Sequence, residues 1–232
     1  MSSEQICLER PADVIPGVYK YCDDWCARCP VPNRCLSYRM RQKQPKRFRA
    51  DRIMDLSDMV AFTREIAVEA GESTPALDAM LAGDPNHEYQ PEPDDEWLVQ
   101  TGHQYAAGAG FLLQRAGWSP PRTDGMGVSP SPLDVIAWYH FFLSIRADRA
   151  LVSMGRAERG HPEDLRDALG CAKIALISAD RSAVALRKAR THLDPRIPRT
   201  LLSLLEKLTA GLEARVPGAR AFIRVGLDAP AA

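Results

Sequence analysis

Four cysteines fall within fourteen residues of the amino-terminal region: Cys22, Cys26, Cys29 and Cys35, in YCDDWCARCPVPNRC. Their spacing is C-x3-C-x2-C-x5-C. The segment between them is polar and carries Pro30 and Pro32, so packing in an apolar core is a poor account of four neighbouring thiols. Four ligands on one inorganic centre is a better one, because thiolates are the preferred donors of structural zinc and of iron–sulfur clusters. The chain has only six cysteines in 232 residues, too few for a disulfide scaffold of this length. In a reducing cytoplasm clustered thiols read as metal ligands.

Two metals fit the quartet. Cys26-x2-Cys29 has the spacing of a zinc knuckle, although many all-thiolate zinc sites pair two such knuckles and the second is missing here. A [4Fe–4S] cube also takes four thiolates from a compact loop, and a proline following a ligand cysteine, as in Cys29-Pro30, occurs in such loops. The cube is wider than a single zinc ion, which suits the gaps of three and five residues. The run Cys26-Ala-Arg-Cys29-Pro-Val-Pro-Asn-Arg-Cys35 resembles the iron–sulfur loop of the endonuclease III and adenine-DNA glycosylase family. That loop ends in C-x2-C-x5-C. The resemblance spans about fourteen residues and implies that Cys22, Cys26, Cys29 and Cys35 ligate a cluster. It does not extend to a helix-hairpin-helix or a catalytic Lys/Asp pair, so it implies a cluster and not a glycosylase. C-x3-C-x2-C also resembles the radical-SAM ligand motif, but the strands and glycine motif of that class are absent.

A basic run follows the cysteines: Arg39, Arg41, Lys43, Lys46, Arg47, Arg49 and Arg52. Cations beside a cluster contact DNA phosphate in the glycosylase family, and residues 39–52 are candidates for nucleic-acid or partner contact through counterion release. The competing expectation is a solvated surface paired with the acidic segment DPNHEYQPEPDDE. Formal net charge is zero, so no whole-molecule field favours nucleic acid or membrane.

Helical periodicity dominates from Asp55 onward. Met59, Phe62, Ile66 and Ala70 predict a first helix that stops at Gly71. A short helix is expected after Pro75. Further helices are expected over about 95–116, 132–157, 162–191 and 197–215. Gly102, Gly108 and Gly110 lower helix propensity and suggest close helix–helix approach. The turn-rich segment 117–132 reads as a connection or a lid. No useful period-two run occurs. The expected fold is all-α: a helical bundle over 53–232, preceded by an irregular four-cysteine metal-binding segment over 1–52.

The remaining candidates are weaker. Tyr21, Trp25 and Tyr38 flank the ligands and either shield a centre or dock the loop. Cys7 is a spare ligand candidate, and Cys171 reads as a buried small residue. Glu158-x2-His161 has di-iron spacing but sits in a turn. His103 and His140 lie within helices and could face one another, while Arg146, Asp148, Arg149, Lys173 and Asp180 could form a polar pocket. His87 and His192 complete the histidines. P-loop, dinucleotide, nucleophile-elbow and HExxH motifs are absent. The opening MSSEQICLERPAD is polar, and no apolar run reaches about 18 residues, so a cytoplasmic protein without a membrane span is expected.

The leading functional expectation is a [4Fe–4S] protein with a structural, redox-sensing or electron-transfer role, in which the bundle serves a protein partner or homo-oligomer. The alternative is a zinc-stabilised nucleic-acid or protein interaction module. A third is an enzyme with a pocket between bundle helices.

Overall fold

The computed structural model describes residues 13–43, 56–71, 91–120, 129–189 and 195–229. The chain forms two compact units. One comprises Met1–Lys20, Asp24–Tyr89 and Val225–Ala232; the other comprises Tyr21–Asp23 and Gln90–Arg224. The fold is all-α. Apart from a single bridge between Val225 and Ala229, no β-pairing occurs among the described residues. No helix there is long and apolar enough to cross a membrane.

The first unit holds α1 (Leu36–Lys43) and α2 (Leu56–Glu69). Of the predicted stripe on α2, Phe62, Ile66 and Ala70 are buried and pack against Leu36 and Met40 of α1. Gly71 follows α2 at φ 67°, the left-handed conformation that glycine adopts without steric cost after a helix. α1 lies in a stretch whose sequence reads as irregular. It is only two turns long, and its apolar contribution reduces to Leu36 and Met40 among basic residues, too little to register as a period. A second small cluster joins Ile15, Val18 and Cys35, with Val31, Tyr38 and Leu227 against it. The helix expected after Pro75 lies outside the described residues.

The second unit is a four-helix bundle of α3 (Glu96–Arg115), α4 (Pro132–Glu158), α5 (Asp164–Lys188) and α6 (Arg196–Arg215). Each helix packs on two neighbours, α4 against α3 and α5, and α6 against α3 and α5. Cross-contacts fix the antiparallel order. His103 meets Asp148 between α3 and α4, and Tyr139 meets Arg181 between α4 and α5. Leu98, Tyr105, Leu112, Ile136, Leu143, Leu151, Leu176, Leu205 and Leu208 are at most 2% exposed, and burying each such side chain stabilises by about 1.5–3 kcal/mol. Alanines at 147, 150, 168, 172 and 175 are fully buried and let α4 and α5 lie close along their length. Gly108 has the same use between α3 and α6: a Cβ there would stand 2.8 Å from Leu201 Cδ2. α4 begins with a capping box of Ser131 and Asp134, with Pro132 in the first turn, and Asp134 also accepts from Trp118 Nε1 at 2.9 Å.

Candidate metal centre

Two successive 3-10 turns present the cysteines of the first unit. Cys26–Arg28 form the first, closed by the Cys29 N–H on the Cys26 carbonyl at 3.2 Å; Pro32–Arg34 form the second, closed by the Cys35 N–H on the Pro32 carbonyl at 3.1 Å. Pro30 and Pro32 cannot donate a backbone hydrogen bond, which keeps this stretch in tight turns. The Val31 N–H points at Cys29 Sγ, 3.5 Å away. Cys35 is buried just before α1, and the backbone N–H groups of Tyr38 and Ser37 are directed at its sulfur. Amides aimed at sulfur favour the thiolate.

Burial acts the other way. It pushes the Cys26 thiol up to about 11, opposed by the Arg41 guanidinium and reinforced by Asp24, Cys35 and Cys29. It raises Cys35 as well, against the two amides, with Cys29 adding to the rise. Burial thus holds both the half-buried Cys26 thiol and the buried Cys35 thiol above their ordinary value. A metal ion is the partner that such a donor set accepts, displacing the protons. All the described cysteines are free thiols. Free thiols are the donor type that a thiolate-bound metal would take. The three sulfurs do not all lie within 4.8 Å of one another, whereas one tetrahedral zinc with 2.3 Å bonds needs them about 3.8 Å apart.

Cys22 lies in the tripeptide that belongs to the bundle unit. Its neighbours are built into the helices. The Tyr21 ring lies against Gly170, where a Cβ would collide with it, and meets Phe222 edge-on at 5.2 Å. The Asp23 carboxylate accepts from Tyr139 Oη at 2.7 Å and from Arg181, and its carbonyl accepts from Trp138 Nε1 at 2.9 Å. Tyr21 therefore docks its segment. Trp25 instead lies under Arg28, 5.4 Å from ring centre to guanidinium, and Tyr38 joins the small apolar cluster. Sequence reasoning missed Asp23, Tyr139 and Arg181. The partners are more than 100 positions apart in the chain, and no local pattern joins them.

The described part of the basic run is largely engaged. Arg39 pairs with Asp13 and donates to the Asn33 carbonyl; Arg41 donates to Asp24 at 3.1 Å and covers the Phe62 ring at 5.9 Å. Lys43 is exposed at the end of α1. Lys46, Arg47, Arg49 and Arg52 lie outside the described residues, as do Cys7, His87 and His192.

The other candidates separate into local pairs. His103 does not face His140: its Nε2 bonds Asp148 at 2.8 Å, while His140 Nδ1 bonds the Ala137 carbonyl at 2.8 Å. Arg149 pairs with Asp167, Lys173 with the Arg220 carbonyl, Asp180 with Arg220, and Arg146 lies over Phe142, so these polar residues do not converge on one pocket. Glu158 pairs with Arg215 rather than with His161. His161 instead joins Glu163 and Asp164 in a surface group whose ligand atoms lie within 4.8 Å. Asp164 is already paired with Arg156. Cys171 is fully buried in the bundle core.

No family model matches the chain, and neither a curated protein nor a solved structure shows significant similarity to it.

Proposed function

We propose that this is a metal-centre protein in which Cys22, Cys26, Cys29 and Cys35 hold a [4Fe–4S] cluster that serves a structural, redox-sensing or electron-transfer role. The observation that carries the reading is the arrangement of Cys26, Cys29 and Cys35 on consecutive turns, within one another's electrostatic reach, with backbone amides aimed at two of the sulfurs. Amide-to-sulfur bonds and burial are the levers by which a protein sets a cluster's potential. Cys22 enters by its place in the chain, four positions before Cys26 and between two anchored residues. When bound, the cluster supplies one-electron chemistry; the chain's own residues orient the thiolates and screen them from water.

Anaerobic purification, with iron, sulfide and zinc analysis and visible absorption, tests this. The expected result is a brown protein with about four irons and four sulfides per chain, which C26S or C29S bleaches. A colourless protein holding stoichiometric zinc overturns the cluster. That second reading, a zinc-stabilised interaction module, draws on the knuckle turn at Cys26–Cys29 and the amide of Val31 on Cys29. Nucleic-acid contact under either reading falls to Lys43 and the basic residues beyond it, since Arg39 and Arg41 are held by aspartates.

A further inference from the structure

The bundle divides its charge unevenly between its two ends. α3 and α5 finish where α4 and α6 begin, since Gly108 faces Leu201, Gly110 faces His140, and Tyr139 meets Arg181. That register brings Arg115 of α3, Arg187 and Lys188 of α5, and Arg196 and Arg199 of α6 to one end. All five are exposed, and Arg115, Arg187, Lys188 and Arg199 make no ion pair among the described residues. The first turn of α4 adds one carboxylate there, Asp134, which is committed to Trp118 and Ser131. The connections 121–128 and 190–194, outside the described residues, carry Arg122, Asp124, Arg190 and Asp194 by sequence, two charges of each sign. The opposite end holds Asp95, Glu96, Glu158, Glu163, Asp164 and Asp167, and its Arg156, Arg159 and Arg215 are paired with carboxylates. Cations gathered without carboxylates repel one another, so the basic end is complementary to an anion that reaches several helices at once.

We propose that this end of the bundle binds the phosphate backbone of a single-stranded nucleic acid, a surface additional to the basic run of the first unit. Neighbouring helix axes stand about 8–10 Å apart, so three helix ends spread their cations over a span that one phosphate cannot engage and a chain of phosphates can. Four of the five cations are arginines, whose planar fork matches phosphate bidentately. Phe111, 51% exposed, lies one turn before Arg115 on the same face of α3. An exposed ring beside a track of cations is the pairing that single-strand binders use: the ring stacks a base while the cations hold the backbone. A carboxylate-rich protein would engage the cations and leave the ring without a role. The proposal concerns the bundle alone and holds whether or not the cysteines bind a metal.

The test follows the anisotropy of a fluorescein-labelled oligothymidylate titrated with full-length protein over a series of salt concentrations. Wild type is compared with R115Q/R187Q/K188Q, R199Q, F111A, R166Q and K43Q, each checked for helical content by circular dichroism. Glutamine keeps the helix propensity of the cations it replaces. Arg166 is an exposed cation at the acidic end of the bundle, and Lys43 belongs to the first unit. The triple variant is expected to bind at least about tenfold more weakly and to flatten the slope of log K against log salt by about 2, close to 0.7 for each lost phosphate contact. R199Q should flatten it by about 0.7. F111A should weaken binding about tenfold and leave the slope unchanged. R166Q and K43Q are expected to match wild type. A wild type that binds no oligonucleotide, or a triple variant with wild-type affinity and slope, overturns the proposal. A loss confined to K43Q moves the contact to the first unit and overturns it too. Wild-type affinity in F111A, or displacement of the oligonucleotide by polyglutamate at equal charge, overturns the single-strand assignment and leaves a general anion surface.

Discussion

The two units of this chain are stabilised by different means. The bundle has four helices of 20 to 27 residues and a continuous core of fully buried leucines, alanines and tyrosines. Among its described residues the cysteine unit has an eight-residue helix, a 14-residue helix and two separate apolar clusters of a few residues each. Small cores rarely stabilise a fold without a staple such as a metal. The bundle needs no such aid. The contrast teaches where a metal's binding energy would act: on the unit with the thiols, whose described apolar clusters are small.

Metal removal is the largest test of that contrast. Structural metal sites in small domains contribute on the order of 10 kcal/mol of apparent folding free energy. Exhaustive anaerobic chelation is expected to abolish hydrogen-exchange protection over residues 24–43 while amides of α3 to α6 keep theirs. Equal protection in both units after verified metal loss would break the comparison. A core truncation should then separate the units in the other direction. Leu143 is fully buried in the bundle, and L143A is expected to cost about 2–5 kcal/mol. Ile66, 8% exposed in a far smaller cluster, should cost about 2 kcal/mol as I66A, with the loss confined to the first unit. Urea denaturation followed by exchange mass spectrometry reads both.

The contrast also explains what the sequence makes legible. Bundle helices announce themselves because each repeats its apolar stripe over five or more turns. The expected spans 95–116, 132–157 and 197–215 match α3, α4 and α6 to within a residue or so. α5 stops at Lys188 rather than 191, where Ala189 turns to an extended conformation. Gly108 in the pattern of α3 suggests close approach, and its lack of a side chain is what admits Leu201. The cysteine spacing marks the candidate ligands because thiols are rare and chemically specific. The surroundings of those ligands are not legible in the same way. α1 is too short to show a period, Arg41 differs from Arg39 only in which way the helix turns it, and the hold of Tyr139, Trp138 and Arg181 on Asp23 depends on tertiary distance alone.

Local capping gives a smaller effect inside the bundle. Ser131 Oγ accepts the Asp134 N–H at 3.2 Å, and Asp134 Oδ2 returns a bond to the Ser131 N–H at 2.9 Å. S131A is expected to cost about 1 kcal/mol and to shift the denaturation midpoint of the bundle without changing its slope. A loss above about 3 kcal/mol would mean that the start of α4 anchors more than its own first turn.

The smallest effect tests how much of the bundle's stability is electrostatic. Arg215 on α6 donates to Asp95, which is buried, and to Glu158 at the exposed end of α4, at 2.7 Å. The hydrogen bond from Arg215, outweighing slight burial, holds the Glu158 carboxyl below its usual range. A depressed carboxylate contributes stability that is complete above its unfolded pKa, about 4.3, and is lost as pH falls through its lower folded value. The contribution is at most about 1 kcal/mol, because Glu158 is half exposed and solvent screens the pair. E158Q should therefore be slightly less stable than wild type at pH 7, and the gap should close once the solution is acidic enough to protonate wild-type Glu158. Added salt should narrow it too, since screening acts on the charge and not on packing. A gap that persists unchanged in acid and in high salt would assign Glu158 a steric role at the α4 terminus and leave the bundle's stability wholly to its apolar core.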